Sequence, residues 1–193
     1  MIGWAHGRDQ SREFEEVALV HLDSLYRGAL RLTQNRAEAE DVVQETCLRA
    51  FRNFHRFDPG TNCRAWLFTI MRNTFLNRLR RAGRELPDGG DSAEWGSPSE
   101  RVGVLASAID SPEEEFFQTL LHGDVDRALR ALPLAFREAV ILADLEGLSY
   151  KEVAQVLGCP IGTVMSRLSR GRHLLRQALH RFAREHGYVK GSE

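Results

Sequence analysis

The sequence predicts an all-α fold of two helical domains, residues 12–86 and 113–186, joined by a flexible acidic linker at 87–112. Two observations predict the helices. Apolar residues recur at spacings of three and four, which is the period of an amphipathic helix, and capping residues or Pro and Gly separate these stretches. A third observation concerns the linker, which is rich in Gly, Ser, Pro and Asp and shows no sustained periodicity.

The net charge of −1 over 193 residues hides an uneven distribution. Residues 1–86 and 117–193 each carry a net charge of +3, whereas residues 87–116 carry −7. Two basic segments separated by an acidic connector indicate a nucleic-acid partner more strongly than the total charge does. The sequence contains no apolar run of roughly 20 residues, and its N-terminus lacks the apolar core of a signal peptide, so we expect a cytoplasmic protein.

The composition gives no support to a catalytic or metal-dependent function. Cys47, Cys63 and Cys159 are far apart and form no CxxC pair, so we expect buried, reduced thiols and neither a disulfide framework nor a zinc site. The 7 His residues are scattered, and no HExxH or Ser/His/Asp spacing occurs. We therefore expect no enzyme, no cofactor and no bound metal.

In the first domain, residues 12–33 are predicted to form one helix that ends at Gln34 and Asn35. The inward stripe of this helix consists of Phe14, Val17, Leu22, Leu25, Ala29 and Leu32. Asn35 is predicted to cap a second helix that runs to about Phe54. The inward face of the second helix consists of Val43, Cys47, Ala50 and Phe54.

Glu38, Asp41 and Glu45 form an acidic face on the other side of this second helix. Three interpretations are open. A carboxylate metal site would require a Glu-x-x-His partner, which the sequence lacks. A solvated face and a docking face for a basic partner are the other two, and composition alone does not distinguish them.

A third helix is predicted from Cys63 to about Ala82, after a turn at Pro59 and Gly60 and a cap at Thr61 or Asn62. It contains no acidic residue. Its aromatic and basic side chains are interleaved: Trp66, Phe68, Phe75, Arg64, Arg72, Arg78, Arg80 and Arg81.

This third helix has two interpretations. Interleaved rings and cations are typical of single-stranded nucleic-acid binding, in which bases stack on rings and cations follow phosphates. Alternatively, Trp66 and most of the other rings belong to the core. Asn73 and Asn77 share one face of the helix and carry amides that can hydrogen-bond to base edges.

The second domain is predicted to begin with a capping box formed by Ser111 and Glu114, with Pro112 in the first helical position. Its first helix continues inward through Phe117, Leu120, Leu121, Val125, Ala128 and Leu132. Pro133 begins another helix, which ends at Gly147. The core side chains of that helix are predicted to be Phe136, Val140, Ile141 and Leu145.

Residues 149–182 are predicted to form a DNA-binding helix-turn-helix. A capping box of Ser149 and Glu152 opens the first helix, Gly158 ends it in a left-handed conformation, and Pro160 prevents continuation. The second helix carries an apolar stripe of Ile161, Val164, Leu168, Gly171, Leu175, Ala178 or Leu179, and Phe182. Residues 153–184 contain no Asp or Glu, as a surface that faces a polyanion requires.

In order and spacing, three motifs resemble those of extracytoplasmic-function (ECF) sigma factors, the minimal two-domain bacterial sigma factors. They are AEAEDVVQETCLRAF at 37–51, GTNCRAWLFTIMRNTFLNRLRR at 60–81, and LPLAFREAVILADLEGLSYKEVAQVLGCPIGTVMSRLSRGR at 132–172. The resemblance extends from about Phe14 to Phe182. It implies a sigma2-like first domain and a sigma4-like second domain, with bacterial core RNA polymerase and promoter DNA as partners.

The resemblance also implies roles for individual residues. Docking on the polymerase clamp helices is implied for Glu38, Asp41, Gln44 and Glu45. Recognition and opening of the −10 element is implied for Phe57, Asp58, Asn62, Arg64, Arg72, Asn73, Asn77 and Arg80, with Asn73 at the base-reading position. Binding in the −35 major groove is implied for Thr163, Met165, Ser166, Arg167, Ser169, Arg170 and His173. Among these, Arg167 and Arg170 would contact mainly phosphates, and Met165 stands where related proteins commonly have a basic residue.

Finer features resemble the oxidative or thiol-stress subgroup, in which a small zinc-containing anti-sigma factor holds the sigma factor. These features are GTN before the Ala65-Trp66 pair, and GTVMSRLSRGR at 162–172. The linker would thread the polymerase's active-site and RNA-exit path. The alternative function is a stand-alone dimeric helix-turn-helix regulator, in which residues 12–86 would dimerise or sense a ligand.

Overall fold

The computed structural model describes residues 4–83, 123 and 125–185. Within these ranges every regular element is helical, which confirms the all-α prediction. The predicted linker at 87–112 and the capping box of Ser111 and Glu114 lie outside the described residues. Residues 4–83 are called the first module below, and residues 125–185 the second module.

Four α-helices form the first module. They are α1 (Trp4–Val17), α2 (Leu22–Thr33), α3 (Arg36–Asn53) and α4 (Cys63–Arg81), with 3-10 turns at Leu19–His21 and Phe54–Arg56. The predicted single helix at 12–33 is therefore wrong, because the turn at Leu19–His21 divides it. The turn separates two packing directions: Phe14 meets the rings of Phe51 and Phe54, whereas Leu25 is buried farther along the bundle.

Side-chain caps set where α3 and α4 begin, as predicted. Asn35 Oδ1 accepts a hydrogen bond from Glu38 N at 3.0 Å, and Asn62 Oδ1 accepts one from Arg64 N at 3.0 Å. Each cap satisfies a backbone donor that has no partner within its own helix. The two asparagines thereby fix the starts of the acidic helix and of the aromatic and basic helix.

A glycine lets α2 approach α4 closely. A Cβ added at Gly28 would lie 2.7 Å from Phe68 Cε1, closer than packed carbon atoms tolerate. Phe68 is fully buried there, and so are Met71 and Leu25. The close approach therefore fixes the position of α4, which carries most of the predicted −10 residues.

The second module consists of a helical stretch at 125–130, α5 (Leu134–Val140), a π-helical turn (Ile141–Leu145), α6 (Tyr150–Leu157) and α7 (Ile161–Glu185). Helix α7 packs on α5 at Gly171, where an added Cβ would lie 2.8 Å from Val140 Cγ2. Val164 and Leu168, on the inward face of α7, are buried as predicted, but Ile161 is 49% exposed. The prediction for Ile161 is wrong because the apolar face is covered only from Val164 onward.

The π-helical turn changes which side chains face inward. Glu146 N donates to Ile141 O at 2.9 Å, so this hydrogen bond joins residues five apart, whereas an α-helical hydrogen bond joins residues four apart. Leu145, predicted to lie in the core, is 40% exposed, and Glu146 is only 4% exposed. The extra residue in the turn rotates the apolar side chain outward and the carboxylate inward.

The two modules pack against each other. Buried side chains from both belong to one hydrophobic cluster, in which α4 of the first module meets α6 of the second. The contact also includes polar groups, since Arg72 on α4 pairs with Glu138 on α5. As a result, some candidate site residues lie at the boundary between modules and others face outward.

Candidate nucleic-acid interface

The helix-turn-helix forms with the predicted local geometry. Glu152 Oε2 accepts a hydrogen bond from Ser149 N at 2.7 Å, and Ser149 Oγ accepts one from Glu152 N at 3.3 Å, which completes the capping box. The hydrogen bond from the Ser149 hydroxyl is the main reason that the pKa of Glu152 lies below its ordinary value. Gly158 follows with φ +63°, a left-handed conformation in which glycine avoids the strain of a side chain.

One face of α7 presents the predicted −35 residues to solvent. Met165 is 54% exposed, and Ser169, Arg170 and His173 are also exposed. Thr163 and Ser166 lie nearby but are half-buried, and Ser166 Oγ donates to Thr163 O at 3.0 Å. The structure thus brings an apolar tip, a hydroxyl, a guanidinium and an imidazole onto one surface of a long helix.

Arg167 differs from Arg170 in its surroundings. At about 100° per residue, Arg167 lies on the flank of α7 that borders the protein interior, and it is half-buried. Its charge is among those that lower the pKa of Glu138, although burial of that carboxyl has the largest effect and raises its pKa. Arg170 therefore remains the more accessible of the two guanidiniums predicted to contact phosphates.

Arg172 is held by an acidic residue that precedes the acid-free segment. Its Nε donates to Asp144 Oδ2 at 3.0 Å, and the Tyr150 hydroxyl lies 3.3 Å from Nη2. The hydrogen bond to Asp144 is the main reason that the pKa of Arg172 is raised. This pair ties α7 to the turn before α6, so Arg172 orients the helix-turn-helix.

On α4, the predicted −10 residues fall into two groups. Asn73 and Arg80 are exposed, and Asn77 is half-buried beside them. Arg80 Nη1 donates to Asn77 Oδ1 at 3.0 Å. Because positions 73, 77 and 80 are spaced by four and three, the two amides and the guanidinium form one outward face.

The second group of predicted −10 residues lies at the boundary between modules. Arg72, with 16% of its side chain exposed, donates from Nε and Nη2 to Glu138 at 2.9 and 3.3 Å. Asn62 Nδ2 donates to Glu152 Oε1 at 2.7 Å. Arg64 is half-buried, and its guanidinium lies beside Gly147 of the second module: a Cβ added at Gly147 would be 3.9 Å from Arg64 Nη2.

An aromatic cluster supports the loop before α4. Phe57 is 9% exposed and lies between Phe54 and Trp66, with ring centroids 5.7 and 5.2 Å away. Trp66 is half-buried, which agrees with the core interpretation for part of its ring. Asp58 Oδ1 accepts a hydrogen bond from Gly60 N at 3.0 Å, so this predicted −10 residue also shapes the loop.

The acidic face of α3 is partly neutralised within the first module. Asp41 is 2.6 Å from Arg78 Nη2, and Glu45 accepts a hydrogen bond from Arg49 Nε at 3.0 Å. Glu38 is half-buried, and Gln44 is exposed. A surface groove between α3 and α4 is lined by Glu38, Glu45, Arg78 and Arg81, among others.

An apolar residue outside the predicted site, Leu48, lies on the same face of α3. Leu48 follows Asp41 and Gln44 at helical spacing and is 52% exposed. The signal in the sequence is its position outside the inward stripe that contains Cys47 and Ala50. Phe51, three positions farther along α3, is also 40% exposed, and neighbouring exposed apolar side chains are a feature of protein-binding surfaces.

The part of the chain that the structure describes contains no cluster of metal-ligating side chains, and two of its thiols have raised pKa values. There, no group of three or more His, Cys, Asp and Glu side chains is arranged to hold a metal ion. Burial raises the pKa of the Cys47 and Cys63 thiols, so both are protonated at neutral pH. No helix among the described residues is long and apolar enough to span a bilayer.

Fold and site together define an all-helical protein with a helix-turn-helix and with two separate outward helix faces, on α4 and α7, that carry amide, hydroxyl and guanidinium groups. Residues 19–85 match the family described as Sigma-70 region 2, and residues 122–175 match the family described as Sigma-70, region 4. The chain belongs to the ECF RNA polymerase sigma factors of the sigma-70 family.

Curated relatives support this assignment. The RNA polymerase sigma-H factor of Pseudomonas aeruginosa is 33% identical over 178 residues, which cover 92% of each chain. ECF sigma factor EcfG of Rhodopseudomonas palustris is 37% identical over 91% of this chain and 85% of its own length. ECF sigma factor SigE of Mycolicibacterium smegmatis is 39% identical over 89% of this chain, which spans 63% of that relative.

Solved structures agree. The sigma factor RpoE of Bartonella quintana, in complex with the anti-sigma factor NepR, has a TM-score of 0.65 and 35% identity, covering 88% of this chain and 98% of its own. CnrH in complex with the cytosolic domain of CnrY has a TM-score of 0.62 and 26% identity, with 88% and 89% coverage. These likenesses favour a transcription initiation factor over a stand-alone dimeric regulator.

Proposed function

We propose that the two modules of this sigma factor divide promoter recognition, with the second module binding −35 duplex DNA and the first binding the opened −10 strand. The observation that carries the proposal is the outward face of α7, which follows a capped helix and carries no acidic residue from Ile161 to Arg184. In helix-turn-helix proteins this is the helix that enters the major groove. The matched regions occur in the same chain, so one protein supplies both contacts.

At the −35 element, the exposed side chains of α7 have distinct roles. Arg170 contacts phosphates, because its guanidinium is accessible and has no acidic neighbour on its own helix. Ser169 and His173 donate to or accept from base edges. Met165 has no hydrogen-bond donor and only a weak acceptor, but its exposed thioether can contact a thymine methyl group in the major groove. Thr163, Ser166 and Arg167 shape or border this surface.

At the −10 element, the outward face of α4 meets the unpaired strand. Asn73 and Asn77 hydrogen-bond through their amides to the Watson–Crick edge of an unstacked base, and Arg80 contacts phosphates of the same DNA strand. Phe57 and Trp66 form the aromatic wall beside the loop. Asp58, Asn62, Arg64 and Arg72 complete the candidate set around that loop. Unstacking a base costs a few kcal/mol, which binding to polymerase must offset.

The core polymerase contact uses the acidic face of α3. Asp41, Gln44 and Glu45 supply its polar rim, together with Glu38 at the start of the helix. Leu48 supplies an apolar centre: it is 52% exposed, so full burial by a partner gains roughly half of the ~1.5–3 kcal/mol of a fully exposed leucine. This arrangement of an apolar anchor inside a polar rim is typical of protein interfaces.

The experiment that tests the function is transcription by purified bacterial core polymerase on a pool of promoters, with and without this protein. Start sites are read by sequencing. New starts that share −35 and −10 elements support the proposal. If no new starts arise, and the protein alone binds palindromic duplexes as a dimer, the stand-alone regulator replaces it.

Two variants separate the roles of the first module, and each is the control for the other. Leu48→Asp should weaken binding to core polymerase without changing which promoters are opened once polymerase is saturated. Asn73→Ala should leave polymerase binding intact and impair opening or −10 selectivity. Equal loss of both activities in Asn73→Ala, with an unchanged circular-dichroism spectrum, would contradict the base-reading role.

We further propose that an anti-sigma factor regulates the protein, and that it belongs to the oxidative or thiol-stress subgroup, acting in the cytoplasm with polymerase. The support is the GTN and GTVMSRLSRGR motifs and the complexes in which two similar sigma factors are solved. Because the Cys47 and Cys63 thiols are protonated, they are poor redox sensors, so a zinc-containing partner would carry the sensing thiolates. Co-purification of a partner that contains zinc and releases the protein on oxidation would test this.

A further inference from the structure

The methionines of the chain differ sharply in their surroundings. Met71 is 1% exposed in the core of the first module, whereas Met165 is 54% exposed near the start of α7. Met1 lies outside the described residues. A thioether is oxidised by a dissolved oxidant only where the oxidant can reach its sulfur. Of the two described methionines, Met165 is therefore the accessible one.

The first turns of α7 leave Met165 open to solvent. The neighbouring residues Val164 and Leu168 are buried and form the inward face of the helix, so Met165 lies on the other side. Ile161, which shares that side at a spacing of four, is itself half exposed. A Cβ added at Gly162, three positions before Met165, would meet open space. The outward side of this part of α7 is therefore uncovered by the rest of the described chain.

The thiols of the chain are less accessible to an oxidant than Met165 is. Cys63 is buried, and Cys47 and Cys159 are half-buried. Burial raises the pKa of the Cys47 and Cys63 thiols, so little of the reactive thiolate is present at neutral pH. Met165 is thus the most exposed sulfur-containing side chain that the structure describes, and it lies on the face predicted to read the −35 element.

Oxidation changes what the Met165 side chain can do in a major groove. Hydrogen peroxide transfers one oxygen atom to the thioether sulfur: an S–O bond forms, the O–O bond breaks, the sulfur loses two electrons, and the peroxide is reduced to water. The product, methionine sulfoxide, is polar, and its oxygen is a good hydrogen-bond acceptor. The thioether is at most a weak acceptor. One oxygen atom thus converts an apolar contact into a hydrogen-bonding group.

Thymine and cytosine respond in opposite ways to this change. In the major groove thymine presents a methyl group and the O4 acceptor, whereas cytosine presents the N4 amino donor. The thioether gains from burying the thymine methyl group. A sulfoxide oxygen in the same place faces a methyl group and an acceptor, and a buried acceptor without a donor weakens binding about tenfold. Beside cytosine, the same oxygen accepts a hydrogen bond from N4.

We propose that Met165 is a reversible oxidation site on the −35 reading face, and that its sulfoxide weakens binding at thymine and shifts the preference to cytosine. The inference rests on the proposed −35 role of α7. Peroxide leaves the guanidinium of Arg170 and the hydroxyl of Ser169 unchanged, so the phosphate contacts persist while the base preference changes. A methionine sulfoxide reductase restores the thioether by oxidising two thiols to a disulfide and releasing water.

A first test locates the modification without DNA or polymerase, so that it does not depend on the proposed function. The free protein is treated with limiting hydrogen peroxide, then with dithiothreitol to reverse disulfide formation, and digested for peptide mass spectrometry. Met165 is expected to gain an oxygen atom at least about tenfold faster than Met71, because access to the sulfur controls the rate. Equal rates at the two sulfurs, with a native circular-dichroism spectrum, would overturn the proposal.

A second test assembles the treated protein with untreated core polymerase and measures binding to a promoter found in the transcription assay. The −35 thymine whose replacement by uracil weakens binding is either kept or replaced by cytosine. Oxidation should weaken binding to the thymine promoter about tenfold and should reverse the preference between thymine and cytosine. Treatment with methionine sulfoxide reductase should restore both. The matched control is Met165→Leu, compared with itself before and after peroxide, since it keeps Met1, Met71 and every cysteine.

Three results of the second test would overturn the proposal. The first is an equal loss of affinity in oxidised Met165→Leu, which would assign the effect to another residue. The second is a uniform loss at thymine and cytosine in the oxidised wild type, and the third is a promoter at which no −35 thymine responds to uracil. Failure of the untreated protein to direct transcription would instead refute the proposed function, and the peptide analysis would still decide whether Met165 is the oxidation site.

Discussion

Replacing Glu138 with Leu is the sharpest test of the ion pair between the modules. The Glu138 side chain is 2% exposed and that of Arg72 is 16% exposed, and two hydrogen bonds join them. Removing one partner of a buried pair costs about 3–5 kcal/mol, because the other charge stays buried and unpaired. Burial also raises the pKa of Glu138, which shows that desolvation opposes the pair. We therefore expect about 3 kcal/mol, the lower end of that range.

The assay is a double-mutant cycle followed by urea denaturation and circular dichroism. Glu138→Leu should lose about 3 kcal/mol, whereas Glu138→Leu with Arg72→Met should recover most of that loss, since apolar groups of similar size replace both charges. Glu16→Leu, which breaks an exposed pair, is the control and should change stability little. A loss below about 1 kcal/mol in Glu138→Leu, or strictly additive losses in the double variant, would refute the reasoning.

Three further predictions concern the second module. Gly171→Ala should lower stability by about 1–3 kcal/mol in thermal denaturation, because its Cβ would meet Val140, whereas Gly162→Ala, with open space around it, should not. Because the pKa of Glu152 is lowered, its contribution to the free energy of unfolding is present above the ordinary Glu pKa and is lost as pH falls through the lowered value. In denaturation measured across acid pH, Glu152→Gln should therefore lose less stability as pH falls than the wild type does. An unchanged pH dependence would contradict the assignment. Replacing thymine by uracil in the −35 duplex should weaken binding of the wild-type protein about fourfold, the effect of one buried methyl group. The same replacement should not change the affinity of the Met165→Ala variant. Equal losses of affinity in the two proteins would exclude the contact.

Local features of the fold were predictable because neighbours in the chain determine them. Asn35 and Asn62 cap the helices that follow them, the Ser149 capping box forms, and Gly158 takes the left-handed conformation. Each of these depends on side chains within about four residues of one another. Apolar periodicity placed Val164 and Leu168 in the core for the same reason.

Features that depend on distant segments were not predictable. Ser24 and Glu146 are 122 positions apart, and nothing in either neighbourhood indicates that they meet. Arg78 was grouped with the basic residues of α4, yet it pairs with Asp41 on α3. The outward turn of Leu145 depends on the π-helical turn, whose hydrogen bonds do not follow from residue spacing. Sequence patterns describe faces of helices, whereas packing decides which face meets which.

The candidate site shows the same division. Exposure of Met165, Ser169 and Arg170 follows from helical spacing on α7, and those positions were predicted correctly as a face. The half-buried position of Arg167 follows from how α7 packs on α5, and the sequence treats it as equivalent to Arg170. Leu48 lies outside the inward stripe of α3, but its exposure depends on which neighbouring helices cover that face, and this the sequence pattern does not give.

The π-helical turn at Ile141–Leu145 also bears on how such a protein can diversify. Deleting one residue there would restore the ordinary phase of the helix and rotate Glu146 by about 100°, away from Ser24. The residues of α7 would keep their own sequence and thus their choice of promoter. A single-residue deletion, usually harmful inside a helix, would here alter how the two modules pack while leaving the outward residues of α7 the same.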